Sequence, residues 1–168
     1  KHLTKPRAAA YRQGHDTTVH GPEGGPVTTI ERTVTTTTAP GTVFPYLVDF
    51  RNAEQWDSGT RSCELVSGDG GPGTVYRNVS EFAGNTVALE YTVDAMEQPR
   101  FVIVGRNDTT TSHDTITVTP RDGGSTVVYR ADFTFTGLAR YAAPLLKPLL
   151  NRLGDKTAAQ LATALERL

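Results

Sequence analysis

Two charged residues stand where the alternation of their neighbours puts apolar side chains. Arg32 lies between Ile30 and Val34, and Asp114 lies two positions before Ile116. Ionised groups taken out of water are normally paired. A guanidinium only donates hydrogen bonds, and an ionised carboxylate only accepts them or takes up a proton. Acid–base or polar-anchoring chemistry is therefore the kind these residues offer. Around them no hydrolytic triad signature, glycine-rich phosphate loop or metal-ligand cluster is found, and no metal or cofactor is expected. Cys63 is the sole cysteine, so no intrachain disulfide and no cysteine-based zinc site can form. On a strand it reads as a small buried hydrophobe. His113 and Glu90 have the outward parity of their strands and are not candidates.

Charge and hydropathy exclude other classes. The net charge of -1 leaves no basic stripe for nucleic acid. No stretch approaches the ~20 apolar residues that span a bilayer. No signal-peptide core is seen at the start, so cytoplasmic location is the default expectation, although the chain begins at Lys1.

The elements that must position these residues follow from period and punctuation. Residues 1–26 are polar, contain Pro6, Pro22 and Pro26, and read as an extended or flexible arm before a single domain over 27–168. The histidines of the arm, His2, His15 and His20, are spaced too widely for a ligand set. From Val27 a Thr-rich alternating run reads as a strand. Ala39-Pro40-Gly41 breaks it, and Pro40 fits the first turn of a short helix with Val43, Phe44, Leu47 and Val48 on its apolar face. Asp49 can cap a second short helix through Asn52 to Trp56. Six strand-like runs follow at 63–67, 74–82, 86–96, 101–105, 113–119 and 126–136, separated by Gly, Asn and Asp turns that favour an antiparallel meander. Thr109-Thr110-Thr111-Ser112 reads as a polar loop. After Gly137 the period becomes helical, with Leu138, Tyr141, Leu145, Leu149, Leu153, Leu161, Leu165 and Leu168 recurring. Pro144 and Pro148 should kink or restart this helix, leaving a continuous stretch from Pro148 onward.

Strand, two short helices, six strands and a long helix make an α+β domain. One amphipathic helix cannot cover a seven-stranded sheet, and a sheet that long must curl. Space between curled sheet and helix becomes an apolar pocket, the usual place for a small ligand. By parity Val127, Tyr129, Ala131, Phe133 and Phe135 face inward on the last strand, and Val87, Leu89, Tyr91, Val93 and Ala95 on the third run. Ile116 and Val118 do so on the fifth, with Asp114. The second run is ambiguous, with the set Tyr76, Asn78, Ser80 and Phe82 preferred. Trp56 either roofs the pocket, bonding through its N–H, or plugs the core. Leu149 supplies the helix side. The expected lining is thus Trp56, Tyr91, Leu89, Phe82, Tyr129, Phe133, Ile116 and Leu149.

The segment ERTVTTTTAPGTVFPYLVDFRNAEQWDSGT resembles the opening of the START-like, helix-grip (birch-pollen-allergen-like) superfamily, and more narrowly its bacterial polyketide cyclase/dehydrase-like branch. GTVYRNV, EQPRFVIVG, HDTITVTP and GGSTVVYRADFTFTG are similar to successive strands of that branch. The resemblance spans about residues 27–168 and implies a curved seven-stranded sheet around the C-terminal helix. It also implies an apolar small-molecule partner, a polyketide or a lipid. In the family's sheet order the first strand neighbours the last and the last neighbours the fifth run, so Arg32 and Asp114 are expected either to meet at one end of the cavity or to sit solvated at strand ends. As a cyclase or aromatase the protein would use Arg32 and Tyr76 as donors and Asp114 as proton acceptor in aldol closure and dehydration. As a non-catalytic carrier or sensor it needs only the cavity. Monomer and homodimer both remain open.

Overall fold

The computed structural model describes residues 26–168. The expectation of an N-terminal arm over 1–26 falls almost wholly outside them. Strand β1 (Val27–Thr36) leads into α1 (Pro40–Val48), a 3-10 turn (Phe50–Asn52) and the one-turn helix α2 (Ala53–Trp56). The strands β2 (Thr60–Ser67), β3 (Val75–Phe82), β4 (Asn85–Glu97), β5 (Arg100–Arg106), β6 (Thr110–Arg121) and β7 (Gly124–Phe135) follow, and α3 (Ala139–Leu165) closes the chain. The seven strands form one antiparallel sheet in the order β1-β7-β6-β5-β4-β3-β2. This is the helix-grip arrangement expected from the sequence.

Local chemistry explains the entry to the sheet. Pro40 opens α1, and the Asp49 carboxylate accepts from the Arg51 N–H and is gripped by the Arg51 side chain at 2.8 and 2.7 Å. Glu54 on α2 accepts from the Cys63 N–H at 2.7 Å, which ties the short helices to β2. Cys63 is buried there, and desolvation pushes its thiol up to about 12, so it is packing rather than a nucleophile.

Two results differ from expectation. Helix α3 begins at Ala139 and passes through both Pro144 and Pro148. Both prolines lie on the exposed side of the helix, where carbonyls that lose their donors can turn to water. Strand β6 starts at Thr110, not His113, so Thr110, Thr111 and Ser112 are strand and only Thr109 of that run stays in the turn.

The core falls into two apolar clusters. The larger joins α1, Phe50 and Trp56 to Tyr76, Phe101, Ile103, Ile116, Val118, Leu161 and Leu165. The smaller joins Ile30, Phe135, Ala143 and Leu150.

Candidate functional site: a cavity with a buried carboxyl behind its wall

Between sheet and α3 lies a cavity of about 450 Å³, bordered by residues of both clusters. Strands β3 and β4 contribute Ser80, Phe82, Val87, Leu89 and Tyr91. Strands β1 and β7 contribute Ile30, Tyr129, Ala131, Phe133 and Phe135, and α3 contributes Leu146, Leu150, Leu153, Gly154 and Thr157. The lining is mainly apolar, as alternation on each strand requires. One end is bounded by Ala83 of the β3–β4 turn and Asn85 at the start of β4, by Asn107 and Thr109 of the β5–β6 turn, and by Ala139 at the start of α3.

Polar chemistry is concentrated at Asp114. This side chain is buried, yet it does not itself line the cavity. Ser112 Oγ donates to Asp114 Oδ1, and the Tyr129 hydroxyl donates to Oδ2 at 3.2 Å. The Tyr91 hydroxyl lies in the same cluster, beside Ser112 and Asp114. Burial raises the carboxyl from 3.8 to about 7; hydrogen bonds from Ser112 and Tyr129 pull it back, and the charge of Asp57 adds to the rise. Burial likewise lifts the phenols of Tyr91 and Tyr129 well above their ordinary range, so both stay protonated.

Such a group is half-protonated near neutrality. When Asp114 is ionised, it accepts the Tyr129 proton in a hydrogen bond. When it is protonated, it can donate to the Tyr129 oxygen and leave the phenol proton to point into the cavity. The pair can thus deliver or take up a proton at the wall through one hydroxyl.

A second polar group lies on the α2–β2 connection. Asp57 lines the cavity and accepts from Thr60 Oγ1 at 2.7 Å, Thr157 Oγ1 at 2.8 Å and the Gly59 N–H at 3.2 Å. Asn78 donates to Thr60 Oγ1 at 2.9 Å and accepts from Ser80 Oγ at 2.7 Å, which extends this network onto β3. The network pins α3 against the mouth of β2 and places the Asp57 carboxylate on the cavity wall; the other lining carboxylate, Glu81, is held by Arg61 at 2.6 Å.

The sequence-derived residues separate into groups. Tyr91, Leu89, Phe82, Tyr129 and Phe133 line the cavity. Ile116 is buried in the larger core cluster. Trp56 is a core plug, 1% exposed and edge-on to Tyr129 and Phe50, and its Nε1–H has no hydrogen-bond partner among the described residues. Leu149 is outside the lining, because the helix presents Leu146, Leu150 and Leu153 inward and turns Leu149 toward solvent. Arg32 and Asp114 do not meet. Arg32 reaches across to α3, where its Nε donates to Asp155 at 2.8 Å and its Nη2 to the Asn151 carbonyl at 3.1 Å. Tyr76 faces inward as preferred, but it packs edge-on against Phe50 beside its register partner Tyr91 and borders no part of this cavity.

Ser112, Asp57 and Thr157 escape the sequence reading. Ser112 shares the parity of Asp114, Ile116 and Val118, and extending that alternation backward by one step finds it. Asp57 and Thr157 meet only through the packing of α3, for which the sequence carries no local signal.

Comparison with known proteins matches this architecture. Residues 27–166 match the family described as "Polyketide cyclase / dehydrase and lipid transport". No curated protein is similar in sequence at a meaningful level. Among solved structures, the Zhui aromatase/cyclase from a Streptomyces species superposes with a TM-score of 0.72 at 16% identity, covering 84% of this chain and 94% of that one. A START superfamily protein from Mycobacterium smegmatis gives 0.70 at 17% identity, covering 83% and 97%. The Ara h 8.0201 structure gives 0.56 at 20% identity, covering 82% and 99%. These likenesses carry the fold. The family match spans all seven strands and the whole of the helix they grip, and the chain belongs to the polyketide cyclase/dehydrase and lipid transport family.

Proposed function

We propose that this protein binds an apolar, carbonyl-bearing small molecule of polyketide type and promotes its ring closure and dehydration. The observation that carries the reading is the contact of Tyr129 with Asp114: a carboxyl raised to about 7 sits one hydroxyl away from an apolar cavity. Aldol closure needs a base for an acidic methylene and a donor for the developing enolate oxygen. Asp114, acting through Tyr129, supplies the first, and Tyr91 offers a neutral phenol for the second. The apolar walls hold the chain folded and keep water from the reacting carbons. Arg32 and Tyr76 drop out of this mechanism because neither reaches the cavity.

A carrier of a finished polyketide or lipid is the second reading. It is favoured by the position of Asp114 behind the wall, which leaves a mainly apolar surface facing the occupant. The two separate on one experiment. A linear poly-β-ketone is offered to wild-type protein, Asp114→Asn and Tyr129→Phe, with ring closure followed by the absorbance of the aromatic product and binding by tryptophan fluorescence. An enzyme loses about a hundredfold or more in turnover in both variants with little change in affinity. Binding without turnover by the wild type leaves the carrier, and turnover indifferent to both substitutions removes Asp114 and Tyr129 from the mechanism.

A further inference from the structure

Helix α3 has a second apolar face that the sheet does not cover. Leu138, just ahead of the helix, is 86% exposed, Tyr141 67% and Leu145 77%. With Leu149 they recur every three or four residues, so they form one outward stripe along the N-terminal half of the helix. Contiguous exposed apolar side chains of this size mark contact surfaces. The charges around the stripe have one sign. Residues 138–154 contain Arg140, Lys147 and Arg152 and no acid, and Lys156 continues the same face. The nearest acid along the helix, Asp155, is engaged by Arg32.

We propose that this stripe docks on an anionic lipid surface, the three leucines and Tyr141 entering the headgroup boundary while the basic side chains meet lipid phosphates. An apolar face flanked by cations is what interfacial helices use, and neither signal alone holds a protein there. A second copy of the chain is disfavoured, because an isologous contact would set these cations against each other. The chain's own first 25 residues are disfavoured as cover for the same reason, carrying Lys1, Lys5, Arg7 and Arg12 against Asp16 and Glu23. The position of the stripe also fits: Ala139 and Leu146, on the same turns of α3, border the cavity. A lipid-soluble occupant would pass between bilayer and cavity without crossing bulk water. The docking stands whether that occupant is cyclised or only carried.

The test is flotation of the full chain with phosphatidylcholine vesicles and with vesicles containing phosphatidylglycerol as well. Wild-type protein should float with the anionic vesicles only, and less so as salt rises. The double variant Tyr141→Ser/Leu145→Ser should lose about tenfold or more in partitioning. Arg140→Glu/Lys147→Glu should lose a similar amount while leaving the apolar stripe intact. Unchanged circular dichroism and melting show that each variant is folded. Wild-type protein that stays off anionic vesicles overturns the proposal. So does flotation that neither variant reduces, which assigns it to the N-terminal segment. A concentration-dependent dimer abolished by the serine variant, or saturable binding to an acidic protein in preference to vesicles, assigns the stripe to a protein partner instead.

Discussion

The ring of Tyr91 lies across Gly105, its register partner on the neighbouring strand, so closely that a Cβ at Gly105 would sit 2.6 Å from Tyr91 Cζ. Gly105 is in turn opposite Ser112 on β6. The missing side chain is therefore what lets the Tyr91 phenol cross β5 and reach the Ser112–Asp114 cluster. Gly105→Ala should expel the ring from this position. We expect a loss of about 1–3 kcal/mol in denaturant unfolding, as overpacking typically costs, together with weaker ligand binding. Tyr91→Ala/Gly105→Ala should cost less than the losses of the two single variants added together, since the clash is gone. Simple additivity of the two substitutions would show that ring and glycine are not coupled.

Asp114 makes stability depend on pH in an unusual direction for a carboxyl. Its folded value of about 7 lies above the ordinary 3.8, so between those values the native protein holds a proton that the unfolded chain has lost. Stability therefore falls as pH rises through this window and is flat above it, where the full cost of burying the charge is present. Asp114→Asn removes that slope. Melting curves of the two proteins should diverge between pH 4 and pH 7 in favour of the variant, by an amount on the order of a few kcal/mol. Groups common to both proteins cancel in the difference. Parallel curves across the window would mean that Asp114 titrates as an ordinary exposed acid.

Arg32 acts as a clamp between β1 and α3. Its Nε meets Asp155, whose side chain is 70% exposed, while Nη2 reaches the Asn151 carbonyl in a partly buried position. An exposed ion pair contributes little, whereas the bond to the carbonyl and the packed stem contribute more. Arg32→Ala should cost about 1–3 kcal/mol and Asp155→Ala less than about 1 kcal/mol. Both should leave the pH dependence owed to Asp114 untouched. Equal small losses would reduce Arg32 to a surface ion pair.

These outcomes bear on how much of the protein is legible in its residues. The meander is legible because its turns carry Gly68-Asp69-Gly70, Gly84-Asn85 and Asp122-Gly123-Gly124, and because inward positions keep parity along β7 and along β4 as far as Val93, after which a bulge shifts the register. Asp114 is legible as a charge on an apolar face. Its partners are not: Tyr129 stands opposite Ile116 in the register, so the bond to Asp114 is a diagonal that strand pairing does not announce. Arg32 shows the same limit from the other side. Parity turns it inward correctly, but only the path of α3 decides that it meets Asp155. Leu149 fails because a helix with two apolar faces has no sequence mark for which one is covered. Pro144 and Pro148 hide the start of α3 because sequence alone does not say that both face water.

One pairing in the sheet differs from the rest. Strands β2 to β7 each join the next in order, but β1 closes on β7, with Val27 opposite Thr134 and Thr36 opposite Ser125. A ribosome releases Val27–Thr36 long before its partner is made. The strand must wait, unpaired, through the synthesis of roughly a hundred residues. Its outward positions, Thr29, Glu31, Thr33 and Thr35, are all polar, and Ile30 and Val34 are the large apolar residues in its middle. That composition suits a segment that must stay soluble while it waits, and the pairing makes the last strand to leave the ribosome the one that completes the sheet, before α3 closes over it.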